Sequence, residues 1–128
     1  PMTVQLEPLD LLPAERLIAE RRNGARASEL GDAPNLRIAA AEVVREGYLL
    51  HYGTPRWYAI DDRDLALLAG DRMYAAGLAS LAEDGDVEAV SALASLIAGC
   101  AEAHAIGESA RTDVLWRSTL AMLAPGSD

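Results

Sequence analysis

Lysine is absent from this 128-residue chain: all eleven basic side chains are arginine, against 20 acidic ones. Schiff-base chemistry and the phosphate-gripping lysine of a P-loop are therefore excluded. The net charge of −9, with no basic stripe along the chain, argues against binding a nucleic-acid backbone. Cysteine is nearly absent as well, and Cys100 alone can form no internal disulfide. No uninterrupted apolar run approaches the roughly 20 residues of a membrane span, and neither end carries a secretion signal or a lipidation motif. These absences lead to the expectation of a cytoplasmic protein. The sequence has no G-x-S-x-G elbow, G-x-G-x-x-G fingerprint, H-E-x-x-H pair, internal repeat or heptad seam.

What is present is a globular composition, 51% hydrophobic and 24% charged. Leu, Ala, Arg and Glu dominate, and alternating β-branched runs are missing. The expectation is an all-α fold: an orthogonal or antiparallel bundle of about five helices, one domain over 1–128, with 1–11 and 124–128 frayed. The spacing predicts helices over about 12–26, 34–51, 62–83, 87–106 and 110–123. Asp32 and Pro34 suit the start of the second, Gly53-Thr54-Pro55 its end, Asp86 the cap of the fourth and Gly107 its stop.

The third segment is apolar nearly all round, which predicts a central position. Ala66, Gly70, Gly77 and Ser80 form a narrow small-residue strip along it. Two glycines inside a helix cost about 1 kcal/mol each relative to alanine, so the strip predicts close approach of another backbone, from this chain or a second one.

Several polar residues invite chemistry. Asp61, Asp62 and Asp64 suit either a divalent cation or simple capping of a positive helix terminus. Asp71, set among Leu67, Leu68, Ala75 and Leu78, reads as a buried carboxylate that needs a partner, with Arg56 and His51 as candidates. His51 and His104 end helices that could lie side by side. Cys100, one turn before His104 on an apolar face, reads as an inert small hydrophobe rather than a nucleophile. His51, Arg56, Asp71 and His104 are thus the expected buried polar set, and no catalytic set stands out.

One resemblance is carried by residues 49–84. "LALLAGDRMYAAGLASLAEDGD" resembles the L-A-G-D helix of trans-isoprenyl diphosphate synthases, and Gly53-Thr54-Pro55 is similar to the family's G-x-P. Leu49-Leu50-His51 resembles the L-x-H that introduces its first aspartate-rich motif. In this chain Tyr52-Gly53 follows where D-D-x-x-D and the paired arginines would stand. The resemblance therefore points to the small, non-catalytic subunit of heterodimeric long-chain prenyl diphosphate synthases, whose products become side chains of respiratory quinones. It implies an isoprenoid-synthase-like fragment, a large catalytic partner, and magnesium on that partner only. Gly70, Met73, Tyr74, Gly77, Leu78, Leu81 and Ile97 are the expected interface or channel wall. Two other readings stay open: a self-associating module for a small apolar ligand, homodimeric when alone, and a small metal-dependent hydrolase or lyase using His51 with Asp61–Asp64.

Overall fold

The computed structural model describes residues 35–125, together with the backbone of Glu20–Arg21. The described part is mostly helical, as expected of an all-α chain. Its four helices are α1 (Leu36–Tyr52), α2 (Arg63–Glu83), α3 (Val87–Ala105) and α4 (Arg111–Leu123). Residues 1–11 and 126–128 lie outside the described residues. So does the helix expected over 12–26, except at Glu20–Arg21, where the backbone is extended. These two residues (β1) pair antiparallel with Tyr58–Ala59 (β2) in the α1–α2 linker, so their backbone groups serve a ladder instead of a helix.

The helix boundaries follow from local chemistry. The Asn35 side chain accepts from Ile38 N–H at 2.9 Å and caps α1, a role expected of Asp32, which lies outside the described residues. Asp62 accepts from Leu65 N–H at 3.0 Å and caps α2. Asp86 accepts from Ala89 N–H at 3.2 Å and caps α3. The two inner helices end alike. Gly85 donates to Ala82 O and Asp86 to Leu81 O, both at 3.0 Å; Gly107 donates to His104 O at 3.3 Å and Glu108 to Ala103 O at 2.8 Å. Each is a paired 5→2 and 6→1 closure around a left-handed residue, and the φ of 77° at Gly85 and 76° at Gly107 is why glycine stands there.

The central helix is α1, which corrects the expectation that the third segment occupies the middle. One side of α1 sends Ala40, Ala41 and Val44 into a cluster with Leu81, Leu93, Leu96, Cys100, Trp116 and Leu123. The other sends Val43 and Leu50 into a second cluster with Trp57, Tyr58, Ala66, Ala69 and Met73. α1 meets α2, α3 and α4, whereas α2 leaves Leu68, Ala75 and Ala79 facing solvent. Alanine explains the discrepancy: it counts as apolar on a helical wheel yet loses little when exposed.

The small-residue strip finds its backbone within this chain. A Cβ added to Gly70 would meet Gly47 O at 2.9 Å and the His51 ring, and one added to Gly77 would meet Ala40 O at 3.0 Å. Gly70 opposite Gly47 and Gly77 opposite Ala40 fix α1 and α2 as antiparallel. α3 differs from its neighbours. Its 19 residues are apolar enough by length and composition alone to cross a bilayer, with a mean hydropathy of 1.2, yet only 28% of its 18-residue apolar window is buried.

Candidate functional site

Where the C-terminal end of α1 meets α2, α3 and α4, the rings of Tyr48, His51, Tyr52, Tyr74, His104 and Trp116 form one continuous cluster. Its centre is Tyr52, stacked flat on His104 with ring centroids 3.9 Å apart and planes 2° apart. His51 meets Tyr52 edge-on at 5.7 Å and Tyr74 at 5.1 Å. The two histidines are thus brought to one place, separated by a tyrosine ring.

Donor and acceptor arithmetic fixes both imidazoles. Thr112 Oγ1 donates to Ser109 O at 2.7 Å, so it must accept from Tyr48 Oη, at 3.1 Å. Tyr48 Oη then has only an acceptor role left for His104 Nε2, at 2.9 Å. The proton of His104 therefore sits on Nε2, and a directed chain runs His104 → Tyr48 → Thr112 → Ser109. His51 Nε2 stands 3.0 Å from Leu67 O and 3.1 Å from Asp71 Oδ1, two acceptors, so it too is the protonated nitrogen. Burial raises the Tyr74 and Tyr52 phenol pKa values, which keeps both rings neutral through the physiological range.

Of the expected buried polar set, His51 and His104 are half-buried. Asp71 is not buried: its side chain is 67% exposed, a correction that follows from Leu68 and Ala75 beside it facing water. His51 is its partner, as one of the two candidates. Arg56 serves other carboxylates, pairing with Glu42 at 2.5 Å and with Glu46 at 3.3 Å while lying 4.6 Å over the Trp57 ring.

Glu46 is the residue that reading the sequence missed. It is wholly buried, accepting from Arg56 N–H and Trp57 N–H at 3.0 Å each. It thereby folds the segment after α1 back onto the helix and seats Trp57 and Tyr58 in the second cluster. The available signal was a glutamate one turn after Glu42 among the apolar positions of α1, which requires donors from elsewhere.

Asp61, Asp62 and Asp64 are all exposed, and among the described residues no three His, Cys, Asp or Glu side chains gather so as to hold a metal. Cys100 is 1% exposed; burial pushes its thiol pKa up, with the Trp116 indole acting weakly the other way, so the reactive thiolate is disfavoured.

The expected interface residues divide in two. Gly70, Met73, Gly77 and Leu81 are buried within the chain, the glycines directly against α1. Tyr74, Leu78 and Ile97 are half-buried at the margin of the main cluster. Chemically, the ring cluster is a hydrogen-bonded staple joining the helices.

The chain matches no protein-family model, no curated protein and no solved structure.

Proposed function

We propose that this chain is a non-catalytic accessory subunit that docks on a large catalytic prenyl diphosphate synthase chain and helps set product length. The observation that carries the reading is α3, apolar enough for a core yet largely outside it. Its exposed side carries Glu88, Ser95 and Glu102 beside a line of Val87, Ser91, Ala94, Ala98, Ala101 and Ala105. The residues of that line recur at alternating steps of four and three, the period of a seam that follows a second helix. Small side chains on such a seam let two helices approach closely. The wheel of the isolated sequence hides it, because alanine and serine are indifferent to water.

Further support comes from the synthase-like stretch itself. Within it, His51 of the L-x-H portion and Asp71 of the L-A-G-D portion lie 3.1 Å apart. The contact of the two portions in this reading keeps a synthase-like packing without an aspartate-rich insert between them. In this reading magnesium and the allylic diphosphate belong to the partner, and this chain contributes shape. Tyr74, Leu78 and Ile97, half-buried against the core, extend the α3 contact in this reading.

The same seam favours a second reading, in which two copies pair through α3 and bind a small apolar ligand. The two are separated by co-expression with a large prenyl synthase subunit from the same source, followed by assay of each chain alone and together. Prenyl transfer that requires both chains, or product length that changes when this chain is added, supports the first. A stable homodimer that ignores the synthase supports the second. Prenyl transfer by this chain alone contradicts both.

A further inference from the structure

Between α1 and α4 lies a groove of about 310 Å³ lined by Arg45, Asp113, Trp116, Arg117 and Leu120. That volume is at the lower end of the range for small-molecule sites, roughly 300–1,000 Å³. Its apolar part is the indole of Trp116, 5% exposed, with the half-buried Leu120 beside it. The Arg45 guanidinium lies over the Trp116 ring, 5.1 Å from its centroid.

The charge of this groove runs against the rest of the protein. Two guanidinium groups face one carboxylate in a chain whose net charge is −9. Arg37, Arg56 and Arg111 each pair with a carboxylate. Arg45 forms no ion pair with another described residue, and Arg117 only donates through Nε to Asp113 O at 3.4 Å. Two cations whose counter-charge is half supplied leave one positive charge over an aromatic floor.

We propose that this groove binds a singly charged organic acid with a flat or aliphatic apolar body. The anionic group bridges Arg45 and Arg117, whose planar forks suit an oxyanion. The apolar body lies against the half-buried Leu120 and the small exposed edge of Trp116. Asp113 sets the charge limit, since it repels a second negative charge and leaves a site of net charge +1. The proposal is independent of the α3 reading, because no α3 residue lines the groove.

The test uses 8-anilinonaphthalene-1-sulfonate, a singly charged anion on an aromatic body. It is compared with N-phenyl-1-naphthylamine, which lacks the sulfonate, and inorganic phosphate, which lacks the body. Each is titrated into the ¹⁵N-labelled chain while the Trp116 indole and backbone signals are followed. The expected result is saturable binding of the sulfonate with shifts centred on Trp116, Arg117 and Leu120, and at least tenfold weaker binding of the other two. Arg45→Gln with Arg117→Gln is expected to weaken the sulfonate at least tenfold at unchanged helical circular dichroism. Arg117→Gln alone, at an exposed position, is expected to weaken it about threefold and serves if the double variant fails to fold. Equal binding of the uncharged amine, shifts mapping elsewhere, or an undiminished affinity in the variants that fold overturns the proposal.

Discussion

Gly47 of α1 and Gly70 of α2 face each other so closely that a Cβ on Gly47 would stand 2.8 Å from Gly70 O, and one on Gly70 would stand 2.9 Å from Gly47 O. Both obstacles are backbone, which cannot swing aside as a side chain can. This contact, repeated about two turns away where a Cβ on Gly77 would stand 3.0 Å from Ala40 O, sets how near the two helices lie and therefore how His51 reaches Leu67 and Asp71.

Gly70→Ala is accordingly predicted to destabilise the fold. Overpacking costs about 1–3 kcal/mol, against a gain of about 1 kcal/mol that alanine has over glycine inside a helix. Gly99→Ala is the contrast: its Cβ would meet only the tip of the Leu115 side chain, at 3.2 Å, so it is predicted neutral or stabilising. Urea denaturation of the two variants checks this, and equal midpoints would contradict the close-packing account.

Glu46→Ala is predicted to destabilise the fold by about 1–3 kcal/mol for each buried donor left unpaired, because the Arg56 and Trp57 N–H groups lose their acceptor while the Arg56 guanidinium keeps Glu42. Glu46→Gln keeps one acceptor oxygen and is predicted to lose less. Fluorescence of Trp57 reports the local effect: its emission should shift to the red in the alanine variant as the segment after α1 lifts.

Acid stability has one identifiable source in the Arg37–Asp86 pair. The Arg37 guanidinium, bonded at 2.6 and 2.9 Å, lowers the Asp86 pKa, helped by Ala89 N–H. A carboxylate whose folded pKa is lowered contributes stability that is fully present above its unfolded pKa of about 3.9. That contribution disappears as pH falls through the folded value. Asp86→Asn retains a side-chain oxygen for capping but lacks the titration. Its stability should fall less steeply than that of the parent below about pH 4, as followed by thermal melts across pH.

Cys100 should react with a disulfide reagent only as fast as the fold opens. Its thiol is buried and its pKa raised, so labelling is predicted to be slow in buffer and immediate in denaturant. Rapid stoichiometric labelling of the native chain would show that α3 and α4 separate readily.

Most boundaries of the four described helices could be read in advance because they have a local chemical cause: Asp62 and Asp86 as caps, Gly53, Gly85 and Gly107 as stops. Asn35, however, took the place expected of Asp32, and Ala110 opens α4 with no side-chain cap. The small-residue strip could be read too, since glycine inside a helix demands a close neighbour. Which helix is central could not, because that depends on which alanines meet a partner, and alanine has no strong preference. The same ambiguity made Asp71 look buried. Glu46 was hidden for a different reason: its donors come from Arg56 and Trp57, beyond a Gly-Thr-Pro turn whose path only the assembled core decides. The ring cluster required three-dimensional assembly, since Tyr48 and Thr112 are brought together from α1 and α4.

The central claim is that the exposed side of α3 is a docking face. Sedimentation velocity of this chain mixed with a large prenyl synthase subunit tests it most directly, using the parent and an Ala94→Glu, Ala98→Glu variant. Both positions are exposed, so the variant should keep its helical content. The account predicts a faster-sedimenting complex with the parent that disappears with the variant. A complex of unchanged strength in the variant, or none with the parent, contradicts it.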